Sequence, residues 1–301
     1  MNSVKERSKN KKTQKQKEKE KEKEKNEDKL RLYSITEIAE QRRGNKFLEK
    51  GYRNNYTFKM SIQSIFTIHN ETVNIWSTFV PIFFIIWWAI RVYSDEKIQK
   101  SSQTAKIIFA FFVFGCLICL VSSTLFHVFE AHSRLVTSVL LKFDLSGIVF
   151  MMVSSFYPPI YFYYYPYKIV RFFYLSTISS LGILMLLSIA GFDFLEKRRM
   201  IRTWIFVFMG ASGLAPLFHS IFLLPKPVYI DLIVRVMIMF VLYLIGVIFY
   251  ASKIPERFSS PNRFVFWATS HQFWHLFVVV AMFEHFLTCA RSYNYYLLNY
   301  I

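Results

Sequence analysis

Two histidines stand four residues apart in the stretch SHQFWH, residues 270–275. On a helix, side chains at positions i and i+4 lie on one face, so His271 and His275 can offer two nitrogens to one metal ion. A third histidine, His127, follows Ser123 with the same spacing in SSTLFHVFEAHS. Three imidazoles with an open fourth position form a set typical of catalytic zinc. These residues predict a metal centre if the fold brings them together.

An acidic residue, Asp144 in LKFDLSGI, adds a candidate proton acceptor. A carboxylate near a metal-activated water can orient or deprotonate that water. The Ser123 hydroxyl lies one helical turn before His127 and can hold its second nitrogen or a bound water. We therefore take Asp144 and Ser123 as candidate catalytic residues. Ordinary packing is the alternative for each residue alone, because single histidines are common at membrane interfaces and H-x-x-x-H pairs arise by chance.

The composition indicates which elements must position these residues. The chain of 301 residues is 53% hydrophobic and 19% aromatic, more apolar surface than one soluble core can bury. Apolar runs of about 18 or more residues can cross a bilayer as helices. The three cysteines do not form a disulfide framework. Seven such runs predict an all-α membrane protein, a seven-transmembrane helix bundle, with spans at Ile75–Tyr93, Ile107–Phe129, Leu145–Tyr163, Phe172–Phe194, Trp204–Leu224, Tyr229–Tyr250 and Phe266–Leu287.

Counting the crossings brings the candidate residues to one side of the membrane. The second run ends, the third begins and the seventh begins at the same face, whichever way the protein is inserted. His127 lies at the end of the second run, Asp144 at the start of the third, and His271 and His275 one to two turns into the seventh. Ionisable groups inside spanning helices are costly and so are functional candidates. His285 lies about 21 Å along the helix from His271, too far to join them.

Other polar residues are interpreted as structural. Asp231 and Arg235 are four residues apart on the sixth run and are expected to pair. His69 and Glu71 precede the first run and are expected to form hydrogen bonds at the membrane interface.

The charged N-terminal region predicts the orientation. It holds much of the net charge of +17, and positive charge near the first span favours the cytosolic side. We expect a cytosolic N-terminus, an outside C-terminus, and a plasma or internal membrane. The alternating Lys and Glu of the tail favour disorder over a helix, and we expect no nucleic-acid partner. The predicted units are a tail (1–33), a juxtamembrane segment with a surface helix begun by Ser34 (34–70), the bundle (71–290) and a C-terminal tail (291–301).

Several stretches resemble one family in register. SIFTIHNETVNIWS, SSTLFHVFEAHS, FDLSGI, IPERF and SHQFWHLFVV are similar to motifs of the progestin and adipoQ receptor family, which includes adiponectin receptors and haemolysin-III-related proteins. The resemblance covers about Phe47 to His285. It implies a seven-helix receptor-like fold with zinc on the cytosolic side. The three zinc-binding histidines of the family fall on His127, His271 and His275.

The resemblance also implies a role for the other two candidates. The aspartate that contacts the zinc-bound water falls on Asp144 and the motif serine on Ser123. A wider superfamily of membrane hydrolases, including alkaline ceramidases, shares this set. Two functions remain open: a zinc-dependent hydrolase of ceramide or a related lipid amide, linked to signalling or to lipid and zinc homeostasis, and a non-enzymatic receptor or regulator whose zinc is structural. An extracellular ligand, if one exists, is not identified by the sequence.

Overall fold

The computed structural model describes residues 30–39, 45–191, 199–258 and 263–301. Within these residues, seven helical segments are long and apolar enough to cross a membrane, which confirms the predicted seven-helix bundle. In chain order the helices are α1 (Phe58–Ser64), α2 (Thr72–Tyr93), α3 (Glu96–Lys100), α4 (Gln103–Phe129), α5 (Arg134–Tyr163), α6 (Lys168–Gly191), α7 (Arg199–Ala211), α8 (Leu214–Leu223), α9 (Lys226–Ser252) and α10 (Ser270–Tyr300). We call the end of the bundle where α2 begins the N-side.

The third spanning helix begins much earlier than predicted. The Ser133 hydroxyl accepts a hydrogen bond from the Val136 amide, so α5 starts at Arg134 rather than Leu145. The early turns were missed because Arg134 and Lys142 interrupt the apolar pattern. Asp144 therefore lies about 15 Å into the helix, not at its start.

The last spanning helix begins later than predicted and ends later. Thr269 caps it in a capping box with Gln272, so α10 starts at Ser270 instead of Phe266. His271 is thus in the first turn and His275 in the second. The helix continues to Tyr300, so the predicted C-terminal tail from residue 291 is helical and belongs to the same element.

Two other predicted elements differ. The predicted span Trp204–Leu224 consists of two helices, α7 and α8, which are separated at residues 212–213. Glu37 does accept a hydrogen bond from the Ser34 amide at 2.8 Å, but this pair closes a turn and the described residues of 34–53 form no helix. The short helix before the bundle is instead α1, which is capped by Thr57. Residues 1–29 of the predicted tail lie outside the described residues.

Helix α10 holds the bundle together, since it contacts α2, α4, α5 and α9. The closest pairing is between α4 and α5, where glycines let the backbones approach. A Cβ on Gly147 would lie 3.1 Å from Cys119 Cα, and one on Gly115 would lie 3.3 Å from Met151 Cα. This approach brings the Ser123 and His127 end of α4 beside the Asp144 part of α5.

The outward faces of the spanning helices are apolar. Phe83, Trp87, Phe172 and Phe222 are among many large hydrophobic side chains that are more than half exposed. Such surface is costly in water and suits contact with lipid chains. The polar residues of interest lie instead on inward faces, where neighbouring helices cover them.

Candidate metal centre

Three histidines converge at the N-side of the bundle. The ring centroid of His127 lies 5.3 Å from that of His271 and 4.9 Å from that of His275, and the centroids of the latter two rings are 4.6 Å apart. One nitrogen of each ring lies within 4.8 Å of the others, as a shared metal ion requires. His127 comes from the last turn of α4 and the other two from the first two turns of α10. The three histidines selected from the sequence therefore lie together.

Hydrogen bonds to the outer nitrogens fix which nitrogen of two rings faces inward. His127 Nδ1 lies 2.8 Å from a Glu71 carboxylate oxygen, so it carries the proton and donates. Ser77 Oγ donates to the Asn74 carbonyl, so it accepts from His275 Nδ1 at 2.9 Å. Each ring then keeps its Nε2 lone pair for the centre. Polar partners of this kind hold metal-binding histidines in orientation and raise their basicity.

The fit of a metal ion rests on these lone pairs. His127 Nε2 is buried and has no hydrogen-bond partner among the described residues. A buried acceptor of this kind is rare in folded proteins without a ligand or water. Three imidazole nitrogens suit zinc and related transition metals better than calcium or magnesium, which prefer oxygen ligands. The donor set therefore fits a zinc ion.

Glu71 was missed as a participant in the centre. It is the N-cap residue of α2, and its carboxylate also accepts a hydrogen bond from Asn74 Nδ2 at 2.6 Å. Burial raises the pKa of Glu71, but the bonds from His127 and Asn74 and the charge of Arg53 outweigh it and hold the pKa below its ordinary value. Glu71 therefore stays anionic and can support His127. Only its position at the start of a helix could have suggested this.

His69 is a buried histidine of a different kind. Its Nε2 donates to the Ser64 carbonyl at 3.0 Å and its Nδ1 accepts from the Glu71 amide at 3.1 Å. Burial lowers the pKa of His69 to about 3, so the ring is neutral near pH 7. Both nitrogens are satisfied by the protein, which agrees with the prediction that His69 forms hydrogen bonds.

The start of α10 is held by a second buried carboxylate. Glu256 is 2% exposed and accepts hydrogen bonds from the Ser270 amide, the Ser270 hydroxyl and the Asn45 amide group. A carboxylate at a helix N-terminus interacts favourably with the helix dipole. Glu256 therefore positions the helical turn that carries His271. The stretch IPERF contains this glutamate, but sequence spacing gave no sign of its partner.

The end of α4 is held by Arg53. This buried side chain donates to the His127 carbonyl at 2.5 Å, to the Val128 carbonyl at 3.0 Å and to Ser64 Oγ at 2.9 Å. It also lies 3.7 Å from a Glu130 carboxylate oxygen. A cation at a helix C-terminus satisfies carbonyls that lack helical partners. Arg53 thereby fixes the backbone that carries His127.

Asp144 and Ser123 lie beside the histidine cluster but outside it. The Ser123 hydroxyl and the Arg202 cation of α7 are both close enough to the Asp144 carboxylate to interact with it. The ligand atoms that lie within 4.8 Å of one another come from the three histidines, and no Asp144 oxygen is among them. Arg202 was not predicted, because it lies at the start of an apolar run among other basic residues.

A cavity of about 650 Å³ connects these residues. Its walls include the three histidines, Asp144 and Ser123 at the N-side and continue between the helices toward His285. Most of the wall consists of aliphatic, aromatic and methionine side chains. A cavity of this size and character suits an apolar small molecule with a polar group at one end.

Comparison with known proteins identifies the family of this chain. Residues 66–286 match the model of the haemolysin-III-related family. The chain belongs to this family. It is 33% identical to progestin and adipoQ receptor-like protein 1 of Caenorhabditis elegans over 86% of this chain and 60% of that protein.

Two further relatives come from a plant and a fungus. The chain is 30% identical to heptahelical transmembrane protein 1 of Arabidopsis thaliana, over 85% of this chain and 79% of the relative. It is 29% identical to the ADIPOR-like receptor IZH2 of Saccharomyces cerevisiae, over 88% and 84%. The predicted resemblance to the progestin and adipoQ receptor family is confirmed, as is a multi-pass membrane protein. The chain spans only 60% of the length of the nematode relative.

Proposed function

We propose that the protein is a zinc-dependent hydrolase of a ceramide-type lipid amide. The observation that carries the proposal is the pairing of three converging histidines with Asp144 in one mostly apolar cavity. Zinc bound by His127, His271 and His275 would polarise an amide carbonyl and acidify water. A structural zinc normally has four protein ligands, so a three-histidine set favours chemistry over a purely structural role.

The side chains of this chain would then move the proton. Asp144 accepts it from the attacking water and returns it to the leaving amine nitrogen. The Ser123 hydroxyl, which is close to Asp144, helps to fix the direction in which the carboxylate points. The Arg202 cation also interacts with this carboxylate. The apolar wall of the cavity holds the acyl chain and excludes water from it.

The alternative is a receptor or regulator in which zinc links α4 to α10. Its support is that the nematode and yeast relatives are both named as receptors or receptor-like proteins. In this case the ligand is an extracellular or lipid signal, and Asp144 contributes to packing alone.

We place the N-side of the bundle at the cytosol, of either the plasma membrane or an internal membrane. The support is the excess of Lys and Arg that precedes the first spanning helix. Protease accessibility of an N-terminal tag in sealed vesicles tests this orientation.

The deciding experiment is fatty acid release from ceramide by purified, zinc-loaded protein. We expect release by the wild type and a loss of about 100-fold or more in Asp144→Asn, with zinc content unchanged. His271→Ala serves as the zinc-free control. Equal rates in the wild type and Asp144→Asn would contradict a catalytic Asp144. An absence of release from fully zinc-loaded wild type would favour the receptor.

A further inference from the structure

His285 lies at the far end of the cavity from the histidine cluster. It is ten residues after His275 on α10, a distance of about 15 Å along the helix axis. Its side chain lines the cavity and the residue is 7% exposed. It is too far away to bind the same metal ion as His275, and the proposed hydrolysis does not use it.

The hydrogen bonding of His285 fixes its tautomer. Its Nε2 lies 2.8 Å from the Ser155 carbonyl oxygen of α5. A carbonyl oxygen can only accept, so Nε2 carries the proton and donates. In the neutral ring Nδ1 is then an acceptor with a lone pair. This nitrogen is buried and has no hydrogen-bond partner among the described residues.

The surroundings form one polar spot in an apolar region. The Phe112 ring of α4 stands edge-to-face with His285, with a centroid distance of 5.4 Å. Met151 and Met282 also line this cavity. Within it, His285 Nδ1 can accept a hydrogen bond but cannot donate one.

We propose that His285 binds a hydroxyl group carried by the chain of the lipid in this cavity. The hydroxyl donates its proton in a hydrogen bond to His285 Nδ1. A carboxylate does not fit, because it brings no proton to an acceptor. The proposal deepens the proposed function and rests on it only in placing a lipid in the cavity. Hydrolysis itself is not needed for this recognition.

The distance from the histidine cluster defines where the hydroxyl lies on the lipid. His285 lies about 15 Å from His275 along the axis of α10. A lipid with its amide or carboxyl end at the histidine cluster therefore reaches His285 with the middle of its chain. The predicted ligand class is a lipid with a mid-chain hydroxyl.

The test compares the binding of two probes to purified protein in detergent: stearic acid and a hydroxystearic acid with its hydroxyl at mid-chain. We expect the wild type to bind the hydroxylated probe about tenfold more tightly, the effect of about 1.4 kcal/mol. His285→Phe should abolish the preference. His285→Leu, which replaces the imidazole with a smaller apolar side chain, should abolish it as well. His219→Phe is the matched control, because His219 is bonded to Tyr174 and does not line the cavity.

The outcomes separate this proposal from the proposed function. If His271→Ala abolishes ceramide hydrolysis but keeps the preference for the hydroxylated probe, the deep site stands on its own. Retention of the preference in a protein with no hydrolase activity would likewise support the deep site while removing the proposed reaction. Equal binding of both probes by the wild type, or an unchanged preference in both His285→Phe and His285→Leu, would overturn the proposal.

Discussion

Two clusters of ionisable residues in the described part of the bundle differ in whether their polar groups are paired within the protein. Toward the opposite end from the histidines, Arg235 Nε lies 3.1 Å from Asp231 and Arg235 Nη1 lies 2.9 Å from Glu284, while Arg291 lies 3.9 Å from Asp231. Two cations face two anions, so this cluster balances its own charge. At the N-side, three histidines instead point nitrogens at one another within 4.8 Å.

Pairing within the protein is the property that separates structural polar groups from those suited to bind a ligand. Charged groups within a membrane are costly, and pairing with an opposite charge relieves that cost. The Asp231–Arg235 pair, predicted from its spacing, needs nothing further from outside. His127 and His275 are bonded on their outer sides to Glu71 and Ser77, which leaves an acceptor nitrogen of each ring facing inward. Such an arrangement suits a cation in the middle.

Removal of a histidine from the cluster should have the largest effect, a loss of bound zinc. His271→Ala deletes one of three ligands, and we expect zinc per protein to fall from about one to near zero. Metal analysis of protein purified in detergent measures this. His219→Ala is the matched control, since it removes an imidazole that bonds to Tyr174 instead. Full zinc content in His271→Ala would show that the cluster is not the metal site.

A change next to the cluster should lower the affinity for the metal without removing a ligand. Glu71→Gln keeps the size of the side chain but removes the charge that faces His127. We expect the zinc affinity to fall about 10- to 100-fold, as for other partners of metal-binding histidines. Competition with a chelator of known affinity measures the change. An unchanged affinity would mean that Glu71 does not act on His127.

The corresponding change in the ion network should lower the stability of the fold and leave the zinc content unchanged. Glu284→Gln removes one of the two acids that Arg235 contacts, and we expect the free energy of unfolding to fall by about 1.5 kcal/mol, with zinc content unchanged. Both partners are about one-fifth exposed, which limits the loss. Thermal unfolding in detergent measures it. A large loss of zinc in this variant would link the two clusters and contradict their independence.

The sequence was sufficient for the seven-helix fold and for the meeting of the three histidines, because both depend on local patterns. Apolar runs identify the spans, and the spacing of His271 and His275 places them on one face whatever the neighbouring helices do. Counting crossings then brings His127 to the same side. The helix boundaries were less accurate, since caps such as Ser133 and Thr269 lie outside the apolar runs.

The supporting residues could not be predicted for a physical reason. Glu71 bonds to a histidine 56 positions away, and Ser77 to one 198 positions away. Glu256 caps a helix that begins 14 residues later. No periodicity within one segment indicates such pairs, which arise when the helices pack. Their side chains are common polar types that occur at many surface positions as well.

His69 gives the smallest and sharpest test, because it lies at the N-side yet is satisfied like the ion network. Its pKa is lowered by burial to about 3, whereas the unfolded chain has an ordinary histidine pKa of about 6.5. Between these values the unfolded state binds the extra proton, so stability is lost as the pH falls below 6.5.

We therefore expect the free energy of unfolding of the wild type to fall by about 1 kcal/mol more than that of His69→Gln between pH 6.5 and 5.5. The other histidines are the same in both proteins, so the difference between the two pH profiles isolates His69. Chemical unfolding at a series of pH values measures it. Parallel profiles would mean that His69 has the same pKa in the folded and the unfolded protein, and its bond to the Glu71 amide would then have to be abandoned.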